Sequence, residues 1–145
     1  MIILAASLYA LLSGKTQRIV LLGERSGEPL LTAEAPDGTE FSISYIHSVN
    51  KSPVTEYFRV EEGKIFLLAM RYESFGAGMP TEIDPDQSFS LEEGYMLITG
   101  YHRHMPELRL FISRTEGHVF EIGGKVTALS SLEKPGEAIS IRVVR

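Results

Sequence analysis

A histidine and a glutamate interrupt an apolar pattern in the stretch Tyr45-Ile-His-Ser-Val-Asn-Lys-Ser-Pro-Val-Thr-Glu56. Phe41, Ile43, Tyr45 and His47 alternate with Ser42, Ser44, Ile46 and Ser48. Successive side chains on a strand point to opposite faces, so the first set shares one face. After the turn, Val54, Glu56, Phe58 and Val60 alternate with Thr55, Tyr57, Arg59 and Glu61. The intervening Ser48-Val-Asn-Lys-Ser-Pro53 is turn chemistry. A hairpin of these two runs puts His47 and Glu56 on the core side near its turn, where opposed Cβ atoms stand about 5 Å apart. A carboxylate facing a core is costly unless it is paired or hydrogen-bonded. His47 is its nearest partner, with Lys51 and Arg71 as others. Such a pair could orient an imidazole for ligand binding, transfer a proton, or share a metal. The structural alternative is a bond that only pins the hairpin.

A second unusual stretch, Ser74-Phe-Gly-Ala-Gly-Met-Pro80, follows one strand later. Gly76 and Gly78 permit positive φ and close approach of a ligand. A Gly-Ala-Gly run can offer backbone N–H groups to a carboxylate or phosphate. It is neither the dinucleotide fingerprint nor a P-loop, and a tight crossover between sheets is its structural reading. The expected ligand-binding patch is His47, Ser48, Glu56, Tyr45, Arg71, Gly76, Gly78 and Pro80, with a small anion as its ligand. Farther on, His102 and His104 are expected to share a face with Met96 and Ile98. Two histidines so spaced can grip a metal that His47 or Glu56 would complete, although polar residues at a strand end are the plainer reading. No residue is assigned outright to catalysis or metal binding, and no cofactor is expected.

The order Ser44-Tyr-Ile-His-Ser-Val49, Pro53-Val, Glu56, Ser74-Phe-Gly-Ala-Gly and Pro80 resembles the bacterial family known as domain of unknown function 1850. The resemblance covers most of the chain after about Arg18. Genes of that family often lie beside those of TAXI-type TRAP transporters, which import small organic acids with a periplasmic binding protein. The resemblance therefore implies an extracytoplasmic accessory role, at the outer face of a bacterial membrane. Family members usually begin with a hydrophobic membrane segment.

Met1 to Ser13 is apolar, rich in helix formers and closed by Gly14. It is shorter than the roughly 20 residues that span a bilayer and lacks the basic lead of a secretory signal. Residues 1–14 are expected as a short hydrophobic helix, an anchor or signal remnant, and 15–145 as a single domain. Lys15 and Arg18 behind it would favour a cytoplasmic domain under the positive-inside rule, against the extracytoplasmic reading.

The rest of the chain reads as strands and turns. Arg18 to Glu24, Leu30 to Ala35, the central hairpin Glu40 to Glu61 and Lys64 to Glu73 come first. Lys64 to Glu73 is apolar on both faces, as a central strand should be. Thr81 to Glu93 reads as an acidic solvated loop. Tyr95 to His104, Leu108 to Arg114, Val119 to Ile122, Val126 to Leu132 and Ala138 to Val144 complete the set. This spacing predicts an all-β domain, an antiparallel sandwich or barrel of about eight to ten short strands.

A chain of 145 residues is long enough for a real core. Its net charge of −5 and lack of a basic cluster exclude nucleic acid as the expected partner. Without cysteine there is no disulfide, thiolate metal site or cysteine nucleophile. No Gly-x-Ser-x-Gly elbow and no His-Glu-x-x-His helix occurs. The leading expectation is an accessory or small-ligand or partner-binding domain, associated with a transporter or its binding protein. An enzyme using a His47–Glu56 acid/base or metal site and a purely structural assembly module are the alternatives.

Overall fold

The computed structural model describes residues 16–73, 80 and 82–145. The hydrophobic segment 1–14 and its expected helix lie outside the described residues, as do Gly76 and Gly78. The described chain forms eleven strands: β1 (Arg18–Gly23), β2 (Pro29–Glu34), β3 (Glu40–Ile46), β4 (Pro53–Glu61), β5 (Lys64–Tyr72), β6 (Ser88–Glu92), β7 (Tyr95–His104), β8 (Leu108–Phe111), β9 (Val119–Ile122), β10 (Lys125–Ala128) and β11 (Ala138–Val144). A single 3-10 turn, Leu129–Ser131, is the one helical element among them. No helix of the described residues is long and apolar enough to cross a membrane.

The strands form two sheets, ordered β2-β1-β11-β8 and β10-β9-β3-β4-β5-β7-β6, and the ladder pairs are antiparallel. The expected all-β sandwich is therefore present, with eleven strands rather than eight to ten. One extra strand is β6, inside the segment expected to be an acidic loop. There Phe89 and Leu91 alternate with Ser88, Ser90 and Glu92, and they pair opposite Ile98 and Met96. Alternation over so few residues is masked by the acids around it. The expected strand over Val126–Leu132 divides into β10 and the 3-10 turn.

Local chemistry explains the meander. Glu62–Gly63, Glu93–Gly94 and Gly123–Gly124 join β4 to β5, β6 to β7 and β9 to β10, and each of these residues has positive φ. Positive φ at both central residues is the two-residue hairpin turn whose twist suits the flanking strands. The main core lies between the sheets. Ile19, Leu21, Leu108, Ile139 and Ile141 from the smaller sheet meet Phe41, Ile43, Phe58, Val60, Leu67 and Phe120 from the larger. Phe41 stacks on Phe58 with ring centroids 5.1 Å apart. Burying such side chains contributes roughly 1.5–3 kcal/mol each before ordering costs.

The larger sheet extends past this core. Val54, Tyr72, Met96 and Ile98 form a second buried cluster to which, among the described residues, the smaller sheet contributes nothing. Tyr45 and Tyr101 pack against both clusters and mark the seam between them.

Candidate functional site

Glu56 stands at this seam. It lies on β4 between Val54, a member of the second cluster, and Phe58, a member of the first. Its neighbours across the ladder are Ile43 on β3 and Met70 on β5. Alternation along β4 turns the carboxyl inward, as the sequence pattern requires. Burial pushes it above its ordinary value, against the opposing pull of the Arg103 guanidinium. No described residue donates a hydrogen bond to it. A half-buried carboxyl without a donor is costly, and its raised proton affinity lowers that cost by favouring the neutral form.

Tyr45 sits diagonally across from Glu56, opposite Val54. Burial first, and then the Glu56 and Glu116 carboxylates, push its hydroxyl up to about 12. It stays a neutral donor throughout the physiological range. On its far side Tyr45 stacks on the His118 ring, with centroids 5.2 Å apart. The strand order places β9 beside β3, and His118 directly precedes β9. Two backbone bonds hold this corner. Ile46 N–H donates to the Glu116 carbonyl at 2.7 Å, and Leu129 N–H donates to the His118 carbonyl at 2.9 Å.

The His118 side chain is only 8% exposed. Its Nε2 lies 3.7 Å from a Glu116 carboxylate oxygen, and its Nδ1 is buried without a hydrogen-bond partner. Burial lowers its proton affinity, with Glu116 pulling the other way. Toward β7 the seam is closed by Tyr101 and Arg103. The Arg103 guanidinium carbon lies 6.0 Å from the Tyr101 ring centroid. Burial raises the Tyr101 hydroxyl, Arg103 opposes that shift and Asp84 adds to it. A hollow of about 300 Å³ beside them is lined by Asp84, Asp86, Gln87 and Gly100 as well as Tyr101, His102 and Arg103.

The expected patch is only partly assembled. Tyr45 and Glu56 come together, but His47 does not join them. Ile43 opposes Glu56, and the ladder ends at Ile46 opposite Pro53, which puts His47 beyond it. Four residues of strand separate the Ile43 and His47 positions, about 13 Å at the strand rise. His47 instead organises the turn. Its Nδ1 accepts the Val49 and Asn50 N–H groups at 3.2 Å each, its N–H donates to Ser52, and its carbonyl accepts from Lys51. Nδ1 is thereby an acceptor, and the ring proton of the neutral form sits on Nε2. Ser48 is exposed in that turn. The His47–Glu56 pair that the acid/base, metal and hairpin-pinning readings all required is not formed.

Arg71 lies on the opposite face of the larger sheet. Its guanidinium carbon stands 3.5 Å from the Tyr95 ring centroid, over an open trough of about 750 Å³ lined also by Tyr57, Ala69 and Leu97. The Pro80 carbonyl accepts the Tyr72 hydroxyl at 3.1 Å, on the side of the second cluster. Gly76 and Gly78 lie outside the described residues.

His102 and His104 also differ from expectation. They do not share a face with Met96 and Ile98. The β5–β7 ladder pairs Ala69 with Thr99 and then Leu67 with Arg103, so β7 spends extra residues in a bulge containing Gly100. Gly100 has a φ of 86°, and a Cβ there would come within 2.6 Å of the Asp86 carbonyl oxygen. The bulge exchanges the faces. It puts Tyr101 and Arg103 on the inward face, with Arg103 exposed at its rim, and sends His102 and His104 out onto Phe66, at 4.3 and 5.4 Å between centroids. Among the described residues, no group of three or more metal-ligating side chains comes together.

Sequence reasoning missed Tyr101, Arg103, Glu116 and His118. A glycine inside the β7 pattern was the available signal for the first two, since such a glycine marks a bulge. His118 had none, because only the return of β9 to the side of β3 brings it to Tyr45.

No curated protein and no solved structure matches this chain. One family profile does, and its span carries Tyr45, His47, Glu56, Tyr101, Arg103 and His118. That family is described as a domain of unknown function, DUF1850; its profile matches residues 41–129, more than half of the chain, and the chain belongs to it.

Proposed function

We propose that this protein is a binding domain that works as an accessory beside a TAXI-type TRAP transporter, on the extracytoplasmic side of a bacterial membrane. Its site is the seam of Tyr45, Glu56, Tyr101, Arg103 and His118. The observation that carries the reading is Glu56, a half-buried carboxyl between two apolar clusters with no described hydrogen-bond donor. A purely structural module gains nothing from such a group, since an apolar residue of the same shape would hold the sheet at lower cost. The transporter association and the extracytoplasmic address rest on the family resemblance. Residues 2–13 supply the membrane attachment in this reading.

The ligand is a small charged molecule. Two experiments test it. A pull-down with tagged protein from native membranes should recover a permease or its binding protein, and repeated recovery of neither sinks the accessory role. A thermal-shift screen of small charged metabolites should give hits that Glu56→Ala abolishes. Hits unaffected by Glu56→Ala would move the site elsewhere.

A further inference from the structure

We infer that the seam around Glu56 is a binding site for the ammonium group of a small amine, an inference that rests on the ligand-binding reading above. The argument begins with what the seam lacks. Glu56 offers carboxylate oxygens that no described donor reaches. His118 Nδ1 is a fully buried polar atom with no partner, and its side chain is more than nine-tenths buried. When the proton of neutral His118 sits on Nε2, facing Glu116, Nδ1 is an acceptor. Both atoms flank Tyr45, so the unfilled capacity at this place is capacity to accept.

The field has the matching sign. Glu56 and Glu116 both act on the Tyr45 hydroxyl, and no cation appears among its influences. Glu116 acts on His118 in the same sense. The walls are aromatic on both sides, Tyr45 toward β3 and Tyr101 toward β7, and both reach the two clusters. Carboxylate oxygens between aromatic walls are the surroundings in which ammonium groups are held, by charge and by the negative faces of the rings. An ammonium there would supply the donors that Glu56 lacks. Arg103 is exposed on the rim and is the cation that now acts on Glu56. It is a competitor for an ammonium ligand and would be a clamp for an anionic one. That opposition makes the charge of the ligand testable.

The test is a titration of the full chain with methylammonium chloride, and separately with sodium acetate, followed by two-dimensional NMR. Methylammonium is expected to give saturable shifts at Tyr45, Glu56 and His118, and acetate none. Glu56→Gln preserves shape and removes the charge, and should weaken methylammonium binding at least about tenfold. Arg103→Gln changes only a rim residue, so the fold survives it, and it should tighten binding. Shifts produced by acetate in place of methylammonium, or loss of methylammonium binding in Arg103→Gln, overturn the inference and favour the anion. A saturable response to neither probe overturns it as well. The accessory role fails separately, in the membrane pull-down.

Discussion

Two histidines in this molecule share the same kinds of partner and have opposite fates. His102, on the outer face of the larger sheet, bonds Glu61 through Nε2 at 2.8 Å and lies flat on Phe66, 3° from parallel. Its side chain is 61% exposed. His118, at the inner seam, stacks on Tyr45 and approaches Glu116 only to 3.7 Å, leaving Nδ1 buried and unpaired. In the outer trio His102 and Glu61 bond one another, and both remain open to solvent. The inner trio forms no such bond, although burial makes each unmet bond cost more. In the reading proposed above, functional capacity follows the unmet demand at the seam, and the residue types alone do not reveal it.

The widest test of that contrast is to remove each aromatic wall in turn. Tyr45→Ala opens the seam to both clusters and should cost about 3 kcal/mol, within the range for large aromatic truncations. Phe66→Ala removes the stacking partner of both outer histidines and should cost about 1 kcal/mol, because its surroundings are half wet. Urea melts of the two variants give the comparison directly. Equal costs would mean that the seam is no more a part of the core than the outer face.

Next in size is the bulge that sorts the two faces. Gly100→Ala meets a backbone oxygen at 2.6 Å in a φ of 86°. Strain of that kind costs on the order of 2 kcal/mol. A loss of stability accompanied by loss of the ring-current shifts between His102 and Phe66 would tie the bulge to the exchange of faces. Stability lost with those shifts intact would tie it only to the Asp86 loop.

These elements also separate what the sequence could reveal from what it could not. Period-two alternation exposed the inward face of β3 and β4, which is why Glu56 and Tyr45 were both legible as inward-facing residues. The register of the hairpin was less so. Alternation says that His47 and Glu56 share a face but says nothing about how far apart they lie along it, and a six-residue connection (48–53) leaves that open. The parity of β7 failed for a related reason. One glycine in a bulge inverts every position after it, and periodicity assumes that no such residue intervenes. His118 and Glu116 were beyond local reading altogether. Their place beside Tyr45 is set by β9 pairing with β3 across a long stretch of chain.

Glu56→Gln sharpens the contrast with an opposite sign. The carboxyl binds its proton more tightly in the folded chain than in the unfolded one. That linkage favours folding fully below the ordinary glutamate value and is lost as pH rises through the raised folded one. Glutamine is neutral throughout and escapes the loss. The variant should thus be more stable than the parent at neutral pH, by on the order of 1 kcal/mol. The gain should shrink toward nothing in acid. Denaturant melts across that range check it, and a destabilised variant at neutral pH would show that the carboxylate is already compensated.

The smallest effect belongs to the outer trio. The hydrogen bond from His102 is the first cause that holds the Glu61 carboxyl below its ordinary value, with Arg59 adding to it. His102→Ala should let the Glu61 titration midpoint rise while Arg59 keeps part of the depression. Carboxyl-detected NMR would show that change. The melting temperature should stay within replicate scatter, because an exposed pair gains little over its own hydration. His118→Ala gives the opposite pattern. It leaves Glu61 untouched and lowers the melting temperature, since it empties a buried stack on Tyr45. If the outer substitution proved the more costly, the unmet demand would lie at Glu61 and Phe66, and the search for ligands would have to move to that face of the sheet.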